Sequence, residues 1–93
     1  MTFARITTAG DSSSASAATL VTSSFASVAG RLIVGYVGWE GGNTTISSIS
    51  DTAGNTYVVG TPTAHGTLTD QCIASFYCLS SLGNASNVIT ATL

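Results

Sequence analysis

The chain is 93 residues long and carries two basic and four acidic side chains, only 6% of its length, with a formal net charge of −2. An average soluble protein is about 25% charged. Two arginines and no lysine cannot neutralise a phosphate backbone, so the composition argues against nucleic-acid binding. No apolar run approaches the ~20 residues of a membrane-spanning helix, so we expect no membrane partner. With 44% apolar residues, the chain is suited to one small globular domain over residues 1–93.

The predicted elements are all β-strands. Apolar residues do not recur at helical spacing, β-branched residues are abundant, and Gly, Asn, Asp and Ser interrupt the chain at short intervals. In chain order, the predicted strands are Thr2–Thr8, Ala18–Ser24, Arg31–Trp39, Thr44–Ser50, Thr56–Gly60, Gln71–Leu79 and Asn87–Leu93. About seven short strands predict an all-β, antiparallel two-sheet sandwich of jelly-roll-like form.

The strand Arg31–Trp39 is apolar on both faces. Its alternating apolar side chains are Ile33, Val37 and Trp39 on one side and Leu32, Val34 and Tyr36 on the other. A strand with two apolar faces is typically central in its sheet and covered on both sides. We therefore expect this strand at the centre of the sandwich.

Two irregularities are predicted around residue 45. The segment Glu40–Asn43 predicts a turn because it contains two glycines and an asparagine. In the polar strand that follows, Ile46 and Ile49 are three residues apart, which breaks the period of two and predicts a β-bulge.

Residues 51–57, with the sequence DTAGNTY, predict a hairpin. The Asp51 carboxylate can accept hydrogen bonds from backbone N–H groups two residues further on. Gly54 can supply a positive φ, and Asn55 tolerates one. Thr61–Asp70, which contains the only proline and the only histidine, is predicted to be a loop, and residues 80–87 a turn centred on Gly83-Asn84.

Cys72 and Cys78 are six residues apart on one predicted strand. In an extended strand this spacing is roughly 20 Å, whereas a disulfide requires Cα atoms within about 7 Å. We expect two buried free thiols, with an intermolecular bridge or a reactive thiol as the alternative. Unbridged cysteines and an N-terminus without the apolar core of a signal peptide favour assembly in a reducing cytosol over secretion, unless an export signal has been removed.

The segment Val88–Leu93 is uncharged and rich in β-formers. Exposed at a sheet edge, it would pair with other chains. We therefore expect it to be buried against a partner or deep in the sheet, and we expect a homo-oligomer or a larger assembly.

The run from Gly30 to Leu93 resembles β-sandwich modules found in secreted bacterial proteins and in phage structural proteins. The DxxGNTY segment at Asp51–Tyr57 is the most specific part of the resemblance, together with Gly30–Val34, Trp39, Phe76-Tyr77 and Asn87–Thr90. The resemblance implies a non-catalytic role in display, adhesion or glycan contact, and no named substrate.

Catalytic and metal chemistry find little support in the residues. No GxSxG element accompanies the serines and His65, and the carboxylates Glu40, Asp51 and Asp70 are explained by turns and loops. The turn Asp51–Asn55 resembles a calcium loop, but one carboxylate is far below the acid count of a tight site. We expect no enzyme activity, no cofactor and no metal centre.

Two functions from different classes remain. The first is a structural or decoration protein of a phage-like virion or similar surface assembly, located in the virion or on an extracellular surface. The second is a carbohydrate-binding or adhesion module, in which an exposed aromatic side chain stacks on a sugar. The predicted ligand-binding residues for this second function are Trp39, Glu40, Asn43, Tyr57 and His65, although Trp39 can equally be the core tryptophan of the sandwich.

Overall fold

The computed structural model describes residues 19–40, 45–64 and 71–93, which form nine β-strands and no helix. The strands are β1 (Thr19–Val21), β2 (Phe25–Ser27), β3 (Ile33–Glu40), β4 (Ser48–Asp51), β5 (Val58–Val59), β6 (Thr63–Ala64), β7 (Gln71–Cys78), β8 (Asn84–Asn87) and β9 (Ile89–Thr92). All observed pairings are antiparallel. The predicted all-β, antiparallel sandwich is therefore confirmed.

Two principal sheets form the layers of the sandwich. One has the strand order β1–β9–β4, and the other has the order β3–β7–β5, with β6 also paired to β7. Strands β2 and β8 form a separate two-stranded pair with a register shift between Phe25 and Ser27. In the chain, β2 comes directly after β1, and β8 comes directly before β9. Strand β4 pairs with β9 in regular register from Ser48 to Asp51. Just before it, the N–H of Ser47 donates at 2.7 Å to the carbonyl of Thr92, the residue that lies opposite Ser48, which fits the bulge predicted between Ile46 and Ile49.

The core lies between the two principal sheets. Strand β7 alternates strictly between exposed and buried residues, as period-two alternation requires of a sheet with one covered face. The buried cluster contains Val37, Ile49, Tyr57, Phe76, Cys78, Ile89 and Ala91. Ile46 precedes β4 yet packs against this cluster, so both isoleucines face the core although they are three residues apart.

Strand boundaries differ from the predictions in several places. The predicted strand Ala18–Ser24 is the shorter β1, and β2 follows it after a three-residue break. Strand β6 lies inside the predicted loop Thr61–Asp70, and β8 begins within the predicted turn, at Asn84. Very short strands with polar or small residues carry too weak an alternation to be recognised from sequence. The predicted strand Thr2–Thr8 and the predicted turn Glu40–Asn43, beyond Glu40 itself, lie outside the described residues.

Within the described residues, the strand predicted at Arg31–Trp39 lies at a sheet edge and is covered on one face only, contrary to the prediction of a central strand covered on both sides. Among the described strands, β3 pairs only with β7, over the full length from Ile33 to Glu40. Its second face is open to solvent, with Val34 68% and Tyr36 75% exposed. This second face of β3 is apolar, but no layer of the described chain covers it.

The C-terminal segment is deep in its own sheet. Strand β9 is flanked by β1 on one side and by β4 on the other, and Ile89 and Ala91 are buried. Of the two expected environments, the sheet interior is therefore the observed one. Strand β9 therefore needs no partner chain to cover it.

Candidate interaction surface

The solvent side of the β3–β7–β5 sheet forms a continuous apolar surface, which we call the outer face. Its members are the exposed large apolar side chains of these strands and their immediate flanks, namely Leu32, Val34, Tyr36, Val58, Ile73, Tyr77 and Leu79. Alternation places them on this side because the intervening residues of β3 and β7 point into the core.

The register brings these side chains into rows across the strands. Val34 lies opposite Tyr77, and Tyr77 lies opposite Val58, so one row spans three strands. The next position on β3, Tyr36, lies opposite Ser75. Directly opposed residues in an antiparallel pair have Cβ atoms about 4.5–5.5 Å apart, so each row is continuous from strand to strand.

The outer face is nearly free of charge. The only charged residue in β3, β5, β6 and β7 is Glu40, the last residue of β3. Beside it, Gly38, Gln71 and Ile73 help to line a shallow depression. The tyrosine hydroxyls and Ser75 supply hydrogen-bonding capacity without charge.

A polar cluster surrounds Asp51, the last residue of β4, where the chain turns towards β5. One carboxylate oxygen accepts the backbone N–H of Asn55 at 2.8 Å. The other accepts the side-chain amides of Asn55 and Asn87 at 2.7 and 2.9 Å and the hydroxyl of Tyr57 at 2.7 Å. Partial burial by itself raises the pKa of the Asp51 carboxyl, but the hydrogen bonds from Asn87, Tyr57 and Asn55 outweigh it and lower that pKa to about 2.

Tyr57 and Asn87 complete this cluster from buried positions. The pKa of the Tyr57 hydroxyl is raised far above its ordinary value. Burial is the largest cause, and the hydrogen bond to Asp51 is the second. The Tyr57 ring packs edge-on against Phe76, with ring centroids 5.5 Å apart. Asn87 is completely buried, and its side-chain oxygen accepts the backbone N–H of Ala53 at 3.2 Å.

The turn 51–57 is a corner between sheets, so the hairpin prediction is wrong. Strand β4, which enters the turn, pairs with β9, whereas β5, which leaves it, pairs with β7. Gly54 has the predicted positive φ of 85°, but Asn55 does not, since no described residue other than glycine has one. The Asp51 carboxylate caps the N–H of Asn55, four residues on rather than two.

The two aromatic residues predicted to bind a carbohydrate, Trp39 and Tyr57, lie apart. Trp39 is half-buried and packs against the core cluster, while Tyr57 is buried with its hydroxyl committed to Asp51. Trp39 lies opposite Cys72, at one end of β7. Tyr57 comes directly before Val58, which pairs with Tyr77 at the other end of β7. At ~3.3 Å per residue, the two ends of this strand are roughly 20 Å apart. Glu40 is exposed beside Trp39, and Asn43 and His65 lie outside the described residues.

The structure also addresses the predicted thiols and the calcium candidate. Cys72 and Cys78 are both buried and free, as predicted. At the turn Asp51–Asn55, four protein donors occupy the single carboxylate, which leaves it as a structural acceptor rather than a cation ligand. Within the described residues, no three His, Cys, Asp or Glu side chains cluster in a way that could hold a metal ion.

Comparison with known proteins found no matching family model, no matching curated protein and no matching solved structure. The resemblance of the DTAGNTY segment to phage and secreted modules therefore stays a prediction. Within the described residues, no helix is long and apolar enough to span a bilayer. A function must consequently be inferred from the chemistry of the surfaces described above.

Proposed function

We propose that the chain is a non-enzymatic structural protein, such as a decoration protein of a phage-like virion or a similar surface assembly, and that the outer face is its attachment surface. The observation that carries this proposal is the exposure of the outer face. Tyr36 is 75%, Leu79 74% and Val34 68% exposed, although all three are large apolar residues on or next to regular strands.

The extent of the outer face supports an interaction role. Its seven large side chains are each between 39% and 75% exposed and lie on one side of one sheet. Scattered single apolar residues would need no explanation, but the largest apolar patch of a typical monomer, about 300–600 Å², is often functional, which supports a contact role for this one.

The edge of β3 away from β7 adds to this proposal. Among the described strands, β3 has no neighbour on that side, and Ile33–Gly38 carries no charge along it. Soluble proteins commonly protect such edges with lysine, proline or a bulge. A strand left in this form is consistent with a protein that works in contact with other chains.

The polar cluster supports a structural role over a catalytic one. A general base or nucleophilic carboxylate must reach substrate with a free oxygen. Both oxygens of Asp51 are instead engaged by donors from its own chain. The lowered pKa therefore reflects an anchor that ties the turn to Asn87 and Tyr57.

Carbohydrate binding is a second candidate, favoured by two exposed tyrosines rather than by the residues predicted from sequence. Tyr36 and Tyr77 are diagonal neighbours on the outer face, because Tyr36 pairs with Ser75 and Tyr77 with Val34. Diagonal neighbours are about 7–8 Å apart, close enough for two rings to form a flat stacking platform. Loss of glycan binding in Tyr36→Ala but not in Trp39→Ala would support this candidate.

Size-exclusion chromatography with light scattering tests the structural proposal. We expect the wild-type chain to associate and the variant Val34→Thr/Tyr36→Thr to stay at the monomer mass of 9.3 kDa. Val21→Thr removes an exposed valine from β1, in the other sheet, and should leave association unchanged. Equal association of the wild type and the double variant would remove the outer face as the attachment surface.

A further inference from the structure

We infer that the outer face is covered by a second copy of the same face, giving a two-fold symmetric dimer of sandwiches packed sheet on sheet. This inference rests on the proposed structural function and identifies its first partner. In such an isologous contact, each outer-face residue meets the outer face of the other copy.

Charge favours a second copy over a different partner. A partner selected by electrostatics would need charges to recognise, but only Glu40 is charged in the four strands of this sheet. An apolar surface whose single strand charge, Glu40, lies at the end of β3 brings few like charges together across a two-fold axis, so it is largely complementary to itself. The net charge of −2 adds little repulsion between copies.

The area also matches a dimer. A standard protein–protein interface buries about 800 Å² on each partner. The seven outer-face residues, 39–75% exposed, and the exposed Gly38, Ser75 and Gln71 between and beside them offer a surface of about that size. It also carries two tyrosines, the kind of side chain enriched in the buried centre of interfaces.

The sheet geometry permits close packing. Two facing sheets pack about 10 Å apart with their side chains interdigitated. On the outer face, the bulky row Val34–Tyr77–Val58 lies next to the row of Tyr36 and Ser75, where a large side chain adjoins a small one. Ser75 is small and exposed, so a large side chain of the second copy can pack over it.

Pairing of two β3 edges is the competing arrangement. It would extend the β3–β7–β5 sheet by backbone hydrogen bonds but leave Tyr36 and Val34 in water. Only face-to-face packing removes the large apolar area from solvent, and burial of apolar area is the dominant favourable term in association.

Tyrosine nitration by tetranitromethane, read by top-down mass spectrometry, distinguishes the two arrangements. The chain contains three tyrosines, of which Tyr57 is buried within the subunit and serves as the internal reference. The experiment compares dilute and concentrated chain, at about 1 µM and about 200 µM, which bracket a micromolar dimer. Sedimentation velocity on the same samples gives the mass.

We expect a dimer at high concentration, with nitration of Tyr36 slowed about tenfold as the monomer fraction falls to a tenth. Tyr77 should be slowed in parallel, and Tyr57 should react slowly at both concentrations. The variant Val34→Thr/Tyr36→Thr should stay monomeric with an unchanged far-UV spectrum and unchanged nitration of Tyr57.

Three results would overturn the inference. A dimer or larger assembly in which Tyr36 reacts as fast as in the dilute chain would place the contact elsewhere, while the structural function would stand. A strict monomer at the high concentration, with Tyr36 reactive throughout, would remove both proposals. A monomer whose Tyr36 is protected only by added oligosaccharide would replace the second copy with a glycan.

Discussion

Asn87 donates its side-chain amide to the Asp51 carboxylate at 2.9 Å from a position with no exposed surface. The two residues are 36 positions apart, on β8 and at the end of β4. Because the same carboxylate also accepts Asn55 and Tyr57, one ionised side chain joins the corner between the sheets to the β2–β8 pair.

Replacing Asp51 with Asn should lower the free energy of unfolding by about 3 kcal/mol, because hydrogen bonds to a charged group contribute about 1.5–3 kcal/mol each and a neutral amide cannot accept all four donors. Urea unfolding followed by circular dichroism measures the loss. Glu40→Gln, a matched change at an exposed strand end, should change stability by less than about 0.5 kcal/mol. Equal effects of the two changes would show that the Asp51 contacts contribute nothing specific.

Stability should also fall in acid. The pKa of Asp51 is about 2 in the folded chain and 3.8 without the fold's contacts. A lowered folded-state pKa means that the charged form stabilises the fold above the unfolded pKa, and that this stabilisation is lost as the pH falls from about 4 towards 2. Urea midpoints measured between pH 7 and pH 2 should decline in this window for the wild type, and less steeply for Asp51→Asn.

Replacing Asn87 with Asp should produce the opposite pH dependence. The new carboxylate would face Asp51 from a buried site, and one of the two would ionise only at a raised pKa. We expect a loss of more than about 3 kcal/mol at pH 7, diminishing as the pH falls to about 5. The control is Asn84→Asp, whose side chain still accepts the N–H of Ser86. A pH-independent loss in Asn87→Asp would contradict the assigned contact.

The two glycines of β3 should respond differently to alanine. A Cβ at Gly35 would lie 2.5 Å from the ring of Phe76, which is buried in the core, whereas a Cβ at Gly38 would approach nothing closer than 3.7 Å. We expect Gly35→Ala to cost about 1–3 kcal/mol through overpacking and Gly38→Ala to be neutral or slightly stabilising. Thermal unfolding of both variants measures the difference, and equal midpoints would contradict the packing of Phe76 over Gly35.

Much of the layer architecture follows from local patterns in the sequence. The prediction that Cys72 and Cys78 are buried is confirmed, because the two lie an even number of residues apart on one strand and a period of two places them on the same face. Gly54 likewise follows from its turn, since a positive φ is a local requirement.

The exposure of the outer face was harder to predict because it depends on long-range pairing. Nothing within Arg31–Trp39 reveals that β3 has one strand partner in the described chain and that Tyr36 faces solvent. The hairpin prediction at 51–57 failed for the same reason: the turn sequence is local, but the partner strands of β4 and β5 are not. Asn87 was predicted only as the start of the last strand, and its burial had no signal in the sequence, since a buried asparagine is recognisable only beside its acceptor.

An isotope-filtered NOE spectrum of an equal mixture of labelled and unlabelled chains tests the central claim most directly. If copies pack through their outer faces, intermolecular NOEs will connect the Tyr36 ring with the methyl groups of Val34, Val58 or Ile73. Intermolecular NOEs confined to β1 and β2, or none at concentrations where the mass exceeds that of the monomer, would contradict the account.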